Sequence, residues 1–296
     1  MVFAIGFFDG CHRGHQKVME AAFSLAQRTG AHPGIITFYP HPAAVLHPDR
    51  PVPLLQTEEE KEAFFAAMGF ETAVILQPSE ALLSMTAEAF LNRLTEACNL
   101  KGMAAGANFT FGAGGKGTAA FMKDALAKKG IIAEEVPLLR SGLLSGAPVS
   151  STAVREAVQK GRMDEAEALL GRPYTMTGAI VHGERRGSTA VGFPTANLAM
   201  PEGKVLPEDG VYATRSRLGD RLIPSITNIG KNPTFDGRLR TIETFLLDFE
   251  GDIYGETLTL AWKGRIRGEV KFDGPEALSR QIASDIKTAR AILAGE

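Results

Sequence analysis

The chain has 296 residues, 44% of them hydrophobic and 22% charged, which suits two folded domains and argues against a disordered protein. A formal net charge of −2, without a local run of lysines and arginines, argues against binding of duplex nucleic acid. We expect neither an export signal nor a membrane span, because no apolar stretch reaches about 18 residues. The two cysteines, Cys11 and Cys98, suit free thiols in a reducing compartment, so the sequence predicts a cytoplasmic protein.

The N-terminal part of the chain alternates apolar runs with helical periodicity. The apolar runs predict strands at 2–5, 34–38, 73–76, 102–106 and 131–136. Helices are predicted after residue 15, over 57–69, and around 87–98, 118–129 and 152–170. Thr57 followed by Glu60 is a capping-box pattern at the start of the second of these helices. Strands that alternate with helices indicate a parallel sheet, so we predict a doubly wound α/β domain over residues 1–170.

The C-terminal part of the chain has short β-rich runs separated by Gly, Pro and Asn turns. These runs lie at 176–182, 211–217, 222–229, 241–248 and 258–262. Short strands at this spacing predict a small antiparallel barrel or sandwich over residues 171–296. Residues 275–293 carry one apolar stripe, which predicts a C-terminal helix packed against this second domain.

A loop rich in glycine and histidine, residues 9–14, follows the first predicted strand. Ligands of α/β sheets bind at the carboxyl ends of strands, so this loop has the position of a site. Gly14 lets the backbone approach a phosphate, and His12 and His15 can donate to phosphoryl oxygens. Such donors suit a reaction whose transition state gathers negative charge on phosphorus. A plain turn with two solvated histidines, or a zinc site that includes Cys11, stays open at this point.

A second polar cluster lies at the start of a later predicted helix. It consists of Ser150, Ser151 and Thr152, with Arg155 one turn into the helix. Helix capping explains one hydroxyl at this position, but it does not call for three hydroxyls and an arginine. A triphosphate would use all four side chains, because hydroxyls bind its oxygens and the guanidinium adds planar charge-assisted contacts. We therefore predict that this cluster binds nucleotide phosphates.

Four segments of this half resemble, in order, the motifs of the bifunctional bacterial riboflavin kinase/FMN adenylyltransferases, also called FAD synthetases. They are GFFDGCHRGH at 6–15, TFYPHP at 37–42, GANFTFG at 106–112 and SSTAVR at 150–155. The resemblance implies a Rossmann-like nucleotidyltransferase domain that transfers AMP from ATP to FMN and releases pyrophosphate. Gly6, Phe7 and Gly14 then belong to the nucleotide site. His12 and His15 are then its catalytic residues.

The chemistry of the acceptor, FMN, determines which catalytic groups the protein needs. The FMN phosphate is already an anionic nucleophile, so catalysis can rest on positioning and charge stabilisation without a protein base. Asn108 and Phe111 are the candidate flavin contacts, an amide that hydrogen-bonds and a ring that stacks. The alternative is that Phe109 and Phe111 are ordinary core residues.

The segment GFPTANL, residues 192–198, carries candidate oxygen ligands in the second domain. Pro194 would deny a strand ladder one donor, so we expect a shaped loop here. Thr195 and Asn197 offer a hydroxyl and an amide oxygen of the kind that a magnesium-bound nucleotide accepts. Upstream, a loop bounded by Gly183 and Gly187 could cover phosphates, although glycine-rich turns occur in any β domain.

The second domain resembles the riboflavin kinase module of the same family. The matching residues are 192–197, 228–230, 233–235, Glu243, 248–249 and 254–255. The resemblance implies a six-stranded antiparallel barrel that phosphorylates the terminal ribityl hydroxyl of riboflavin with ATP, with Glu243 as the base. Many members have a Gly-Arg pair and a leucine before the GFPTAN segment, where this chain has STAV at 188–191. The difference bears on kinase rate and nucleotide affinity rather than on the type of reaction.

The sequence thus predicts an enzyme of FAD biosynthesis that uses ATP and Mg²⁺, with FMN as intermediate and FAD as product. We expect a monomer or weak homo-oligomer without nucleic-acid or membrane partners. One alternative is a related nucleotidyltransferase for another phosphorylated acceptor, such as a cytidylyltransferase, whose barrel only binds. Another is an oligonucleotide-binding barrel beside an α/β ligand sensor, which would need a basic groove rich in aromatic residues. The acidic balance, four tyrosines and one tryptophan speak against it.

Overall fold

The computed structural model describes residues 1–46, 49, 52–181, 193–231 and 240–295. The chain divides into two units, Met1–Ser151 and Thr152–Glu296. The division falls within the first turn of a helix, so residues 152–170 group with the second unit. The domain boundary expected at residue 170 stays a prediction.

The first unit is built on a parallel sheet. Its strands are β1 (Val2–Ile5), β2 (Pro33–Phe38), β3 (Ala73–Leu76), β4 (Gly102–Gly106) and, after the short antiparallel pair β5 (Thr110–Phe111) and β6 (Gly117–Thr118), β7 (Ile132–Val136). The order across the sheet is β3-β2-β1-β4-β7, and all neighbours run parallel. The order reverses beside β1, and the crevice at such a reversal is where open α/β sheets bind ligands. The predicted α/β fold is confirmed.

Helices cover both faces of this sheet. They are α1 (Arg13–Thr29), α2 (Pro42–Leu46), α3 (Glu58–Ala67), α4 (Glu80–Leu83), α5 (Ala87–Ala97) and α6 (Ala119–Ala127). Successive residues of a strand point to opposite faces. Phe3 and Ile5 accordingly pack in a cluster with α5 and α6, whereas Val2 and Ala4 pack in a second cluster with α1 and α3. Burial on both faces explains why β1 reads as an unbroken apolar run.

The second unit begins at the second residue of α7 (Ser151–Gln159), includes α8 (Met163–Leu170) and continues as a closed antiparallel barrel. The barrel strands are β8 (Tyr174–Val181), β9 (Ala196–Leu198), β10 (Gly210–Leu218), β11 (Arg221–Lys231), β12 (Arg240–Leu246) and β13 (Thr257–Arg267). They close in the order β10-β11-β12-β9-β8-β13. The helix α9 (Pro275–Ala294) packs Ala289 and Leu293 against Val211 and Ile226 of the barrel. The predicted six-stranded barrel with a C-terminal helix is confirmed. Among the described ranges, no helix has the length and apolar character needed to cross a membrane.

Two local predictions differ from the structure. The helix expected over 152–170 is two helices, because Gly161 between them has a φ of +67°, the left-handed conformation that ends a helix. The GFPTANL segment is not a loop throughout, since Ala196–Leu198 forms β9 and pairs with β8 and β12. Pro194 precedes this strand, where its missing N–H interrupts no ladder.

Strand β8 passes close to the residue that follows β9, and a substitution at this contact tests the packing of the barrel. A Cβ atom added at Gly178 would lie 2.3 Å from the carbonyl oxygen of Ala199. We expect Gly178→Ala to lower the free energy of unfolding of the barrel by about 1–3 kcal/mol, because the two backbones must move apart. Urea unfolding followed by the fluorescence of Trp262, the one tryptophan of the chain, measures this.

Gly274 provides the matched control for this substitution. It lies just before α9 with an extended φ of 164°, and an added Cβ would meet nothing within 4 Å. We therefore expect Gly274→Ala to change the free energy of unfolding by less than about 0.5 kcal/mol. Equal stabilities of the two variants would contradict the packing of β8 described above.

Candidate active sites

The loop between β1 and α1 has an unusual backbone. Phe8, Gly10 and Cys11 have φ angles of 59°, 79° and 42°, all in the left-handed region. Non-glycine residues seldom adopt this conformation, and surrounding contacts must hold it. The buried Cys11 thiol donates to the Phe8 carbonyl at 3.2 Å, and the Gln16 side chain donates to the Cys11 carbonyl at 2.9 Å. The loop is therefore fastened to the first turn of α1.

Asp9 ties the same loop to two other parts of the first unit. Its buried carboxylate accepts a hydrogen bond from the Leu55 N–H at 2.8 Å. Its carbonyl oxygen accepts from the Ser151 hydroxyl, also at 2.8 Å. Because this contact uses the only hydroxyl proton of Ser151, the residue anchors the loop, and its predicted phosphate contact stays a prediction.

His12 and His15 are brought together as a stacked pair. Their ring centroids lie 3.6 Å apart with an interplanar angle of 18°. His12 is the N-cap of α1, and its Nδ1 accepts from the His15 N–H at 3.2 Å. An imidazole nitrogen that accepts carries no proton, so His12 presents its Nε2–H as a donor. A Cβ atom at Gly14 would lie 3.1 Å from the His12 ring, so glycine leaves room for this arrangement.

The surroundings of His15 favour the neutral imidazole. Its Nδ1 is buried and has no hydrogen-bond partner among the described residues. The ring also packs edge-on against Phe8, with centroids 5.3 Å apart. Burial, followed by the charges of His12 and Lys61, holds the pKa of His15 well below its usual value of 6.5. An unsatisfied buried polar atom costs about 1–3 kcal/mol, which a ligand that pairs with it would recover.

The zinc alternative is not supported by this geometry. The described residues include no group of three His, Cys, Asp or Glu side chains arranged to hold a metal ion. Cys11 is fully buried in the cluster under α1, as expected of a small apolar filler.

Lys61 of α3 is a residue of this site that the sequence analysis missed. Only 4% of it is exposed. Its Nζ lies 3.4 Å from the Thr37 hydroxyl and 3.3 Å from the Phe38 carbonyl, and 4.9 Å from the centre of the Phe7 ring. A signal was present, because Lys61 lies one helical turn before the buried Phe65 and so shares its face.

The segment TFYPHP lies beside the histidine loop. The Thr37 hydroxyl donates to the Phe7 carbonyl at 3.0 Å, and the Phe7 and His41 rings meet edge to face with centroids 4.0 Å apart. A Cβ atom at Gly6 would lie 2.9 Å from the Phe8 ring, so this position has no room for a side chain. The first two of the four matching segments thus form one surface at the end of β1 and β2.

A separate cavity of about 300 Å³ lies in the second unit, between the barrel and α9. Its polar lining includes Thr195, Asn228 and Glu243, and its apolar lining includes Phe193 and Phe245. Cavities of this size with a few polar groups are typical of small-molecule sites.

Glu243 has the environment of a base in this cavity. Strand register sets it on β12 opposite Asn197 of β9 on one side and Asn228 of β11 on the other. Burial raises the pKa of Glu243 above its usual value of 4.5, and a hydrogen bond with Thr241 partly opposes this. A carboxylate so destabilised is a better proton acceptor than a solvated one.

A buried ion pair, also missed from the sequence, joins β13 to α9 at this cavity. Arg267 Nε lies 3.1 and 3.0 Å from the two carboxylate oxygens of Asp285, which is 3% exposed. Gln281 donates to the same carboxylate at 2.8 Å. Both charged residues line the cavity, so the pair holds α9 as one of its walls.

Comparison with known proteins matches the two halves of the chain to two families. Residues 1–153 match the FAD synthetase family and residues 170–293 the riboflavin kinase family. The bifunctional riboflavin kinase/FMN adenylyltransferase of Listeria monocytogenes is 36% identical over 295 residues, which cover 99% of this chain and 92% of that protein. The chain belongs to this bifunctional family.

A second relative and a crystal structure are also similar to this chain over nearly its whole length. The Bacillus subtilis protein of that name is 35% identical, over 97% of this chain and 91% of its own length. A crystal structure titled as a macrolide-efflux protein from Streptococcus pneumoniae has a TM-score of 0.90 at 33% identity, with 98% of this chain and 93% of that one covered. Both domain folds therefore have a crystallographic counterpart.

The two residues expected to contact the flavin differ in burial, since Phe111 is buried and Asn108 is exposed. Phe111 is 7% exposed and packs with Phe90 and Phe109, at centroid distances of 5.4 and 5.7 Å, which is the core alternative considered above. Asn108 is exposed in the turn after β4. Flavin binding by these two residues stays a prediction.

Several expected site residues of this chain are not tested by the structure. Gly183 and Gly187 lie outside the described residues, as do Gly192 and 233–235. Thr152 and Arg155 belong to the second unit. Their contacts with phosphates, and those of Ser150, stay predictions.

Proposed function

We propose that this chain makes FAD from riboflavin in two ATP-dependent reactions. The barrel phosphorylates riboflavin to FMN, and the α/β unit transfers AMP from ATP to FMN and releases pyrophosphate. The observation that carries the proposal is Glu243, a carboxylate with a raised pKa in a small-molecule cavity, in a chain that also has a stacked histidine pair at the sheet reversal. Each reaction then has the kind of group that its acceptor requires.

The kinase reaction needs a base because its acceptor is an alcohol. The terminal ribityl oxygen attacks the γ-phosphorus of ATP, the bond from that phosphorus to the bridging oxygen breaks, and ADP leaves. Glu243 takes the hydroxyl proton as the oxygen attacks. The raised pKa of Glu243 suits this role, and Phe193 and Phe245 supply an apolar wall for a flavin ring.

The adenylyl transfer needs donors rather than a base. An oxygen of the FMN phosphate attacks the α-phosphorus of ATP, the bond to the bridging oxygen breaks, and pyrophosphate leaves. Negative charge grows on the oxygens around the α-phosphorus as this happens. His12 and His15 supply N–H donors in a position that the N-cap hydrogen bond and ring stacking already hold.

We also propose that Thr195 and Asn197 hold the Mg²⁺ that accompanies ATP in the barrel. A hydroxyl and an amide carbonyl are hard oxygen ligands, the type that Mg²⁺ prefers, and β9 brings Asn197 opposite Glu243. When bound, the ion would neutralise phosphate charge. Cytoplasmic location and a monomeric or weakly oligomeric state stay predictions.

A time course of the purified chain with riboflavin, ATP and Mg²⁺, resolved by chromatography, tests the proposal. We expect FMN to rise first and FAD to follow at its expense. FMN without FAD would remove the adenylyltransferase from the proposal and favour another phosphorylated acceptor. No flavin product would reject both reactions.

A further inference from the structure

Lys61 lies in the adenylyltransferase site, but the proposed mechanism gives it no role so far. It comes from α3, which contributes no residue to the segments matched from the sequence. Its buried ammonium contacts the end of β2 at Thr37 and Phe38, and it faces the Phe7 ring of the histidine loop. Thr37 in turn donates to the Phe7 carbonyl, so one cation joins two segments that are 30 residues apart in the chain.

We propose that Lys61 is a positioning residue for adenylyl transfer, which fastens the histidine loop to the end of β2 and places a positive charge beside that loop. The inference rests on the proposed function of the histidines. It assigns Lys61 no contact with substrate, and its effect on the reaction passes through His12 and His15.

The geometry gives this charge a specific effect. Two stacked imidazoles 3.6 Å apart cannot both be positively charged at low cost, and His12 Nδ1 must stay unprotonated to accept from the His15 N–H. A nearby ammonium adds a further penalty to protonation of either ring. Burial, His12 and Lys61 act in the same direction, and all lower the pKa of His15. Neutral rings can accept and donate at the same time, whereas imidazolium rings only donate.

Carboxylates of two elements act on the Lys61 ammonium. Burial lowers the pKa of Lys61 from its usual 10.5, and the charges of Asp9, Glu58 and Glu62 are among those that oppose this shift. Asp9 belongs to the histidine loop, whereas Glu58 and Glu62 belong to α3. The ammonium is therefore stabilised from the loop as well as from its own helix.

Removal of the charge has an effect that loss of packing alone does not have. In Lys61→Met one cause of the low His15 pKa is gone, so we expect that pKa to move upward, toward 6.5. In Lys61→Arg the charge stays, and the pKa should stay low. A titration of the chain labelled with ¹⁵N-histidine, with the His15 signal identified by its loss in His15→Gln, measures this without any substrate.

The pH profile of FAD formation from added FMN is the second readout. Protonation would break the hydrogen bond at His12 Nδ1 that positions the pair, so kcat should decline as the pH falls. The decline should begin at higher pH in Lys61→Met than in the parent chain, and Lys61→Arg should follow the parent. At pH 7.5 we expect kcat to fall roughly tenfold in Lys61→Met with the KM for ATP little changed, as for lost positioning.

The controls separate failure of this inference from failure of the proposed function. Lys129→Met removes an exposed lysine of the same unit and should behave as the parent chain. The dispersion of the ¹⁵N-histidine signals reports whether the α/β unit of each variant is folded, and riboflavin kinase activity reports the same for the barrel. Lys61→Gln replaces Lys61→Met if the α/β unit of the latter is not folded. An inactive parent would reject the proposed function. An active parent with the same His15 pKa and the same profile in Lys61→Met, or the same shift in Lys61→Arg, would overturn the inference.

Discussion

Glu243→Gln should lower the rate of FMN formation by about 10²–10⁴-fold, the usual contribution of a general base. The substitution keeps the size of the side chain and its hydrogen-bonding ability but removes the proton acceptor. FAD formation from added FMN depends on the other unit and should persist. Both rates can be followed by chromatography of riboflavin, FMN and FAD on one preparation of the variant.

The pH dependence of the kinase rate is an independent test of Glu243 as the base. The base form of Glu243 exists above its pKa, which burial raises above 4.5, so kcat should decline as the pH falls through that raised value. Thr241→Val removes the hydrogen bond that opposes the shift, and the decline should then begin at higher pH. The exposed Glu250 is the matched control, since Glu250→Gln should leave rate and profile unchanged. Full kinase activity in Glu243→Gln would show that another group takes the proton.

Asn197→Ala tests the neighbouring position across the barrel ladder. Register sets Asn197 opposite Glu243, and we propose that its amide holds the nucleotide-bound cation beside that carboxylate. We expect FMN formation to fall by about 10²-fold, with a higher Mg²⁺ requirement, and FAD formation to persist. A loss of both activities in a folded variant would contradict the separation of the two sites.

Most of the fold could be predicted because a pattern in a short stretch of sequence marks most of its strands and helices. Unbroken apolar runs such as Val2–Ile5 identify strands buried on both faces, and the barrel strands follow from short runs between turns. The predicted elements were wrong where contacts between distant parts of the chain determine the local structure. β9 has three residues, too few for a periodic pattern, and its pairing with β8 and β12 is what makes it a strand. Gly161 interrupts a helix at a position that periodicity alone does not mark.

The candidate sites divide in the same way. His12 and His15 were accessible to sequence analysis because they are close in the chain and follow a strand. Lys61 was not, because α3 brings it to the loop from about 50 residues away. The contact of Arg267 with Asp285 joins a strand to a helix, and no local pattern predicts it. Sequence alone therefore finds groups that share one loop and misses those that arrive from other elements.

His12→Ala or His15→Ala should lower FAD formation from added FMN by about 10²–10³-fold, the usual scale for loss of one transition-state donor. FMN formation from riboflavin should persist in both variants because it takes place in the barrel, and far-ultraviolet circular dichroism checks that the α/β unit is folded. Loss of both activities in a folded variant would contradict the assignment of separate sites.

His12 also caps α1, so its removal has a structural cost that must be separated from the catalytic one. Loss of an N-cap acceptor costs about 0.5–2 kcal/mol, and asparagine is among the best N-cap residues. His12→Asn therefore keeps an acceptor for the His15 N–H while it removes the imidazole donor. If His12 acts on the α-phosphate, His12→Asn should be as stable as the parent chain and as slow in FAD formation as His12→Ala. If His12 only caps the helix, His12→Asn should recover the rate, and the proposed role in catalysis would fall to His15 alone.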